Sequence, residues 1–151
     1  MIKKNLIIIL LFIFVIACDY TPMYSQKNIN NFYIEKINYS GDFEVNNLIN
    51  NKLKKYQNNI NGKSFIISVK SDYNKTSLSK NLLGKTTDYK MIIKVTFEIK
   101  NNDLSKSFVL EENFILKNLN DKFEKNKYEK IKKENLTQLI VNKLIIQLSR
   151  I

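Results

Sequence analysis

Between Asp88 and Lys100 the chain alternates without a break. Tyr89, Met91, Ile93, Val95, Phe97 and Ile99 fall on one side, and Lys90, Ile92, Lys94, Thr96, Glu98 and Lys100 on the other. Successive side chains of an extended strand point to opposite faces. A strict period of two over this length therefore demands a sheet with one covered face and one wetter face. The rest of the chain has to supply the cover.

The flanking segments contain the means. Phe32 to Tyr39 predicts a strand in which Phe32 and Ile34 share one parity and Ile37 and Tyr39 the other, a change of face that a β-bulge accommodates. Ser40-Gly41-Asp42 breaks that strand and offers Asp42 as a helix N-cap. Val45, Leu48, Ile49, Leu53 and Tyr56 then recur at helical spacing, with Lys52, Lys54 and Lys55 toward the end where the helix dipole favours cations. Asn58 to Gly62 ends this helix. Ser64 to Asp72 predicts a second strand, with Phe65, Ile67 and Val69 on one face. Asn74 to Lys85 lacks alternation and is read as a polar, lysine-bearing connection that carries Leu78, Leu82 and Leu83. Asn101-Asn102-Asp103 is a turn, and Ser107 to Lys117 returns with Phe108, Leu110, Phe114 and Leu116 on one face. From about Asp121 to Arg150 the period is helical again. Charged first turns lead into a stripe of Leu136, Leu139, Ile140, Leu144 and Leu148, widened by Val141 and Ile145. Gln138 to Leu148 is apolar nearly all round and calls for cover on more than one side, by its own core or by a partner. The expected fold is α+β: a four-stranded mixed sheet with two helices packed on one face, in the order β-α-β-β-β-α.

The amino terminus reads differently. Lys3 and Lys4 precede an uncharged apolar run from Leu6 to Ala17, 12 residues long. A membrane-spanning helix needs about 20 apolar residues, so the run fits a signal-peptide h-region. It ends in Val15-Ile16-Ala17-Cys18, which resembles the bacterial lipobox. The expectation is cleavage before Cys18, with a lipid anchor (diacylglycerol and acyl chains such as palmitate) on its sulfur. Two or more chains hold a protein stably where one does not. The organisation is then a signal peptide at 1–17, a lipidated tether at 18–31 that contains the only proline, Pro22, and a single α/β domain at 32–151.

Residues that carry chemistry are scarce. The chain has no His, one Cys and three Gly. Acylation of Cys18 removes thiol catalysis and disulfides, and there is no His/Cys metal set and no Gly-rich phosphate loop. Glu111 and Glu112 are strand neighbours and point apart. No catalytic residue, cofactor or metal site is expected, and the chain reads as a non-enzyme. The formal charge is +11, and cleavage before Cys18 takes Lys3 and Lys4 from the 25 basic residues, leaving 23 against 14 acidic ones, or +9. Two sources can supply this excess. One is an anionic partner, which for an exported chain is a phosphorylated lipid or an acidic membrane surface and not nucleic acid. The other is codon composition, since Lys, Asn and Ile are all abundant and all have A/T-rich codons.

Two stretches carry a family resemblance. The mature start, Cys18-Asp19-Tyr20-Thr21-Pro22-Met23-Tyr24, has an aromatic two residues after the cysteine, then a proline, an apolar residue and a tyrosine. Gly84-Lys85-Thr86-Thr87-Asp88-Tyr89 leads through a Gly, a Thr, an acidic residue and a Tyr into the long alternating strand. Both are similar to the lipopolysaccharide-assembly lipoprotein LptE family. The resemblance implies a sheet-plus-two-helices fold. It implies a place at the periplasmic face of the outer membrane, plugging the translocon barrel (an LptD-like partner) and binding lipopolysaccharide. It also implies lipid-phosphate contacts near the second stretch, assigned here to Lys80, Lys85 and Lys90. The family's basic residue just before that stretch is replaced by Leu82 or Leu83. Asp19 is a further departure, because in enteric bacteria an Asp after the lipidated Cys retains a lipoprotein at the inner membrane. Two other roles fit the same residues: an envelope lipoprotein that binds lipid or assists transport by itself, and a structural lipoprotein that touches the cell wall.

Overall fold

A computed structural model describes residues 32–57, 62–102 and 104–151. The expected signal peptide, the tether and Cys18 lie outside these residues, as do positions 58–61 at the exit of the first helix and Asp103 of the turn. The alternating run is strand β3 (Thr86–Lys100), an inner strand of a four-stranded sheet with β1 (Phe32–Gly41), β2 (Lys63–Lys80) and β4 (Ser105–Lys117). Sheet order equals chain order. The β1–β2 pair is parallel, and the β2–β3 and β3–β4 pairs are antiparallel. Parallel neighbours need a crossover, and helix α1 (Phe43–Leu53), continued by a 3-10 turn at Lys54–Tyr56, supplies it. Helix α2 (Lys122–Leu148) closes the domain. The α+β order and the two helices on one face are as the sequence predicts.

Both helices cover the face that carries Met91, Ile93, Val95, Phe97 and Ile99. Those five side chains have no exposure, and Phe65, Ile67 and Val69 of β2 join them. From the helices come Val45, Ile49 and Leu53, then Leu136, Ile140, Val141, Leu144 and Leu148. The opposite face is wet, and Asp72, Lys94 and Glu111 stand opposite one another across three strands as acid, base and acid, so it needs no second layer. Leu139 and Ile146 of α2 stay half-exposed, and the helix's apolar breadth is only partly used inside its own domain.

Local details match the sequence signals. The register of β1 against β2 slips between Ile34 and Lys36, and this bulge lets both parities of β1 face the core. Asp42 caps α1 by accepting from the Val45 amide at 2.8 Å, and Asp121 caps α2 by accepting from Glu124 N at 2.8 Å. Three ion pairs occur among the described residues, Lys75–Glu129, Lys133–Glu44 and Lys143–Glu112, and each ties α2 to a different element.

One expectation fails. Asn74 to Lys85 is not a connection. Strand β2 continues to Lys80, and a short turn leads into β3 at Thr86, so the two form one long hairpin. Beyond Lys75, which reaches Glu129 of α2, its residues are largely exposed and no apolar alternation is required. Backbone ladder bonds and the hydroxyl contacts Ser77–Thr86 (3.0 Å) and Ser79–Thr87 (2.7 Å) hold it instead.

The glycines give a direct test. Gly41 has φ +93°, and a Cβ there would overlap the carbonyl of Ser71. Gly84 has φ +75° with open space around it. Gly84→Ala should cost about 1 kcal/mol, the left-handed backbone penalty alone. Gly41→Ala should cost clearly more, about 3 kcal/mol, because the strand end must also shift. Urea unfolding of the two variants checks the order.

Candidate functional site

The β2–β3 hairpin ends in a turn that its own side chains stiffen. Asn81 Oδ1 accepts from Leu83 N at 3.0 Å and Lys85 N at 2.9 Å, while Gly84 N donates to Asn81 O at 2.9 Å. The turn presents Leu82 and Leu83 outward at 106% and 91% relative exposure, the highest values for large apolar residues among those described. Leu78 and Phe123 are also well exposed. Apolar side chains held away from the core by a bonded turn gain nothing from the fold, whereas burying each against hydrocarbon is worth about 1.5–3 kcal/mol.

Lysines surround this tip. Lys80 ends β2, pairing with Thr86, and Lys85 closes the turn. Asn118 fastens the β4–α2 loop to the hairpin, donating from its backbone N to Thr87 O (2.8 Å) and from Nδ2 to Thr86 O (2.7 Å). That attachment forms a cleft of about 380 Å³ lined by Lys85, Lys122 and Lys125 together with Asn118 and Leu119. Three ammonium groups around one cleft favour an anion, and the positive end of α2 adds to them. Asp88 is committed to the hairpin: hydrogen bonds from Ser79 and Thr87 and the nearby Lys117 hold its carboxyl below the usual range.

A second polar cluster sets the angle between hairpin and helix. Glu129 of α2 accepts from Tyr73 OH at 2.6 Å and pairs with Lys75, both on β2. Lys133, nearly buried, pairs with Glu44 and lies 4.1 Å from the Tyr73 ring centroid. Lys75 and Lys125 lie over the Tyr89 ring at 4.8 and 4.9 Å. Burial pushes the Tyr73 hydroxyl upward, and its bond to Glu129 adds to that. Burial alone would raise Glu129, but the bonds from Lys75 and Tyr73 and the charge of Lys133 outweigh it and hold the carboxyl below its ordinary value.

The structure therefore places Lys80 and Lys85 together at the tip but not Lys90. Lys90 lies part-way down β3 on the open face, opposite Thr76 and Ile115, four residues or on the order of 13 Å from the strand's start. Sequence reasoning missed Lys122 and Lys125, which read as ordinary charges of a first helical turn. Their nearness to Lys85 arises from the Asn118 bonds, and no local pattern encodes it. No group of three His, Cys, Asp or Glu able to hold a metal occurs among the described residues, and no helix there is long and apolar enough to cross a membrane.

Sheet, crossover helix and closing helix define an α+β class of domain. Solved bacterial lipoproteins share it. The rare lipoprotein B from Shewanella oneidensis superposes with a TM-score of 0.55 at 13% identity, over 74% of this chain and 91% of that one. An uncharacterized lipoprotein B from Nitrosomonas europaea gives 0.56 at 13% identity, over 79% and 85%. At such identities the likeness is one of fold. No protein-family profile matches the chain, and no curated protein sequence does.

The Glu129 cluster yields a pH prediction. A carboxyl depressed in the folded state stabilises above its unfolded value, near 4.3, and that contribution is lost as pH falls through the lower folded value. Glu129→Gln should cost about 1 kcal/mol at neutral pH, limited by partial exposure. The gap from the parent should close below about pH 4, as denaturant midpoints measured across pH will reveal.

Proposed function

We propose that this chain is a non-enzymatic envelope lipoprotein, anchored through Cys18, that seats in the lipopolysaccharide translocon barrel at the periplasmic face of the outer membrane and meets lipopolysaccharide with its hairpin tip. The observation that carries the reading is the tip itself. A stiff turn holds two leucines in water, Lys80 and Lys85 flank that turn, and Lys85 shares a cleft with Lys122 and Lys125. A phosphorylated amphiphile complements both parts, phosphate against ammonium and acyl chain against leucine. The replacement of the family's basic residue by Leu82 or Leu83 shifts the balance toward hydrocarbon contact. The lipobox-like Val15-Ile16-Ala17-Cys18, the two LptE-like stretches and a fold shared with bacterial lipoproteins support the same reading. The half-exposed Leu139 and Ile146 on α2 offer surface for a protein neighbour.

A stand-alone lipid carrier is the other reading, and it needs an apolar cavity. Here Phe65, Phe97, Ile140 and Leu144 fill the space between sheet and helices with no exposure, which favours the assembly role.

Three outcomes are expected. Cys18→Ala should move the protein from the membrane to the soluble periplasmic fraction. Lys80→Glu combined with Lys85→Glu should weaken lipopolysaccharide binding by about tenfold or more, a loss of about 1.4 kcal/mol, with a shallower salt dependence. Leu82→Asp with Leu83→Asp should weaken it even in low salt. Unchanged binding in both double variants would overturn the tip assignment. Crosslinking in intact cells that never recovers a barrel protein would overturn the translocon role.

A further inference from the structure

At the opposite end of β1 from the bulge, α1 carries a second stripe beside its core stripe. Phe43, Asn46, Asn47 and Asn50 recur at three- and four-residue spacing and so share one face of the helix. That face borders a cleft of about 330 Å³ whose other wall includes Tyr39 and Ser40, and no charged side chain lines it. Phe43 stands at the rim with 80% exposure. The core does not use its ring, which leaves a flat apolar surface beside a row of amides.

The cleft is built on fixed points. Asn46 is buried, and both ends of its amide are bonded: Nδ2 donates to Ser40 O at 3.0 Å and Oδ1 lies 2.8 Å from the Ser71 hydroxyl. Asp42 N donates to Ser71 O at 3.1 Å, closing the corner that Gly41 makes possible. Tyr39 OH donates to Asn50 Oδ1 at 3.3 Å. Burial pushes the Tyr39 phenol up to about 12, so it remains a neutral donor. These bonds leave the Asn50 Nδ2 and the Asn47 amide, on two residues that line the cleft, to serve as donors and acceptor. A separate cleft of about 290 Å³ lies on the open face of the sheet, lined by Ser68, Lys70, Thr96 and Glu98.

We infer that this corner is a glycan-binding site that takes neutral pyranose units of an oligosaccharide. A sugar ring has an edge of vicinal hydroxyls and an apolar C–H face. The paired donors and acceptor of Asn47 and Asn50 suit the edge, and the Phe43 ring suits the face. An anionic ligand would find no cation in the first cleft, and an aliphatic chain would strand the amides without partners. The site is remote in sequence from the hairpin tip and does not rest on the role proposed for it.

The test uses the mature chain with isotope-labelled Asn side chains, titrated with chitotetraose and with maltotetraose. The first carries the N-acetylhexosamine chemistry of a wall glycan, the second plain hexoses of the kind found on envelope glycolipids. Saturable shifts of the Asn47 and Asn50 amide signals with either glycan support the site, and the preferred glycan identifies the source. Phe43→Ala should weaken that binding by about tenfold without loss of fold, because the ring is exposed, while Phe43→Tyr retains it. The circular dichroism spectrum and denaturant midpoint serve as the control that both variants leave close to the parent. The inference is overturned if neither glycan shifts these amides at millimolar concentration, if Phe43→Ala binds as the parent does, or if the shifts fall elsewhere on the domain.

Discussion

Strand β3 presents Met91, Ile93, Val95, Phe97 and Ile99 on one face without exposure, and that row determines what every other element does. An apolar row flanked by hydrogen-bonded strands can be hidden only from above. The opposite face carries Lys90, Lys94, Glu98 and Lys100, so nothing apolar can cover it without burying charge. Both helices are thereby confined to the same side. The crossover between parallel β1 and β2 must pass over that side, and α1 lies where it both links the strands and covers them. Gly41 follows from the same constraint, because the chain leaves β1 so close to Ser71 that no side chain fits.

Hydrophobic cover alone would allow α2 to rotate or slide, since its apolar surface is broader than the sheet requires. The three ion pairs to β2, α1 and β4 oppose this. Each is worth little by itself in partly exposed surroundings. Arranged from three directions on one helix, they select one orientation, and the Tyr73–Glu129–Lys75 group extends that selection onto the hairpin. The tip is therefore held at a fixed place relative to the start of α2, which is what brings Lys85 alongside Lys122 and Lys125. Packing thus governs the position of the outer hairpin, although its residues are largely exposed.

The two ends of the domain differ in chemistry. The tip combines ammonium groups with exposed leucines. The β1–α1 corner combines amides with one exposed ring and carries no charge along its cleft. Sharing a fold with solved bacterial lipoproteins does not transfer a role, because fold and function separate readily.

Much of the architecture was legible in the sequence because burial writes a period into the chain. Residues 88–100 announced a one-sided strand, the parity change between Ile34 and Ile37 announced the bulge, and Asp42 and Asp121 stood where helices begin. The outer hairpin, residues 74–85, was illegible for the converse reason. With its residues largely exposed no period is imposed, and backbone ladder bonds are indifferent to side-chain type. Lys80, Lys85 and Lys90 were named together from the family resemblance around Gly84, and the strand carries Lys90 away from the other two. Lys122 and Lys125 join the cleft through Asn118, some 30 residues from the turn, and a contact between distant segments leaves no mark in either one. The sequence alone determined which faces are apolar, where the helices start and that Cys18 follows a lipobox-like run. Only the tertiary structure decided which polar side chains meet, because those meetings depend on how far β2 runs and on where the ion pairs hold α2.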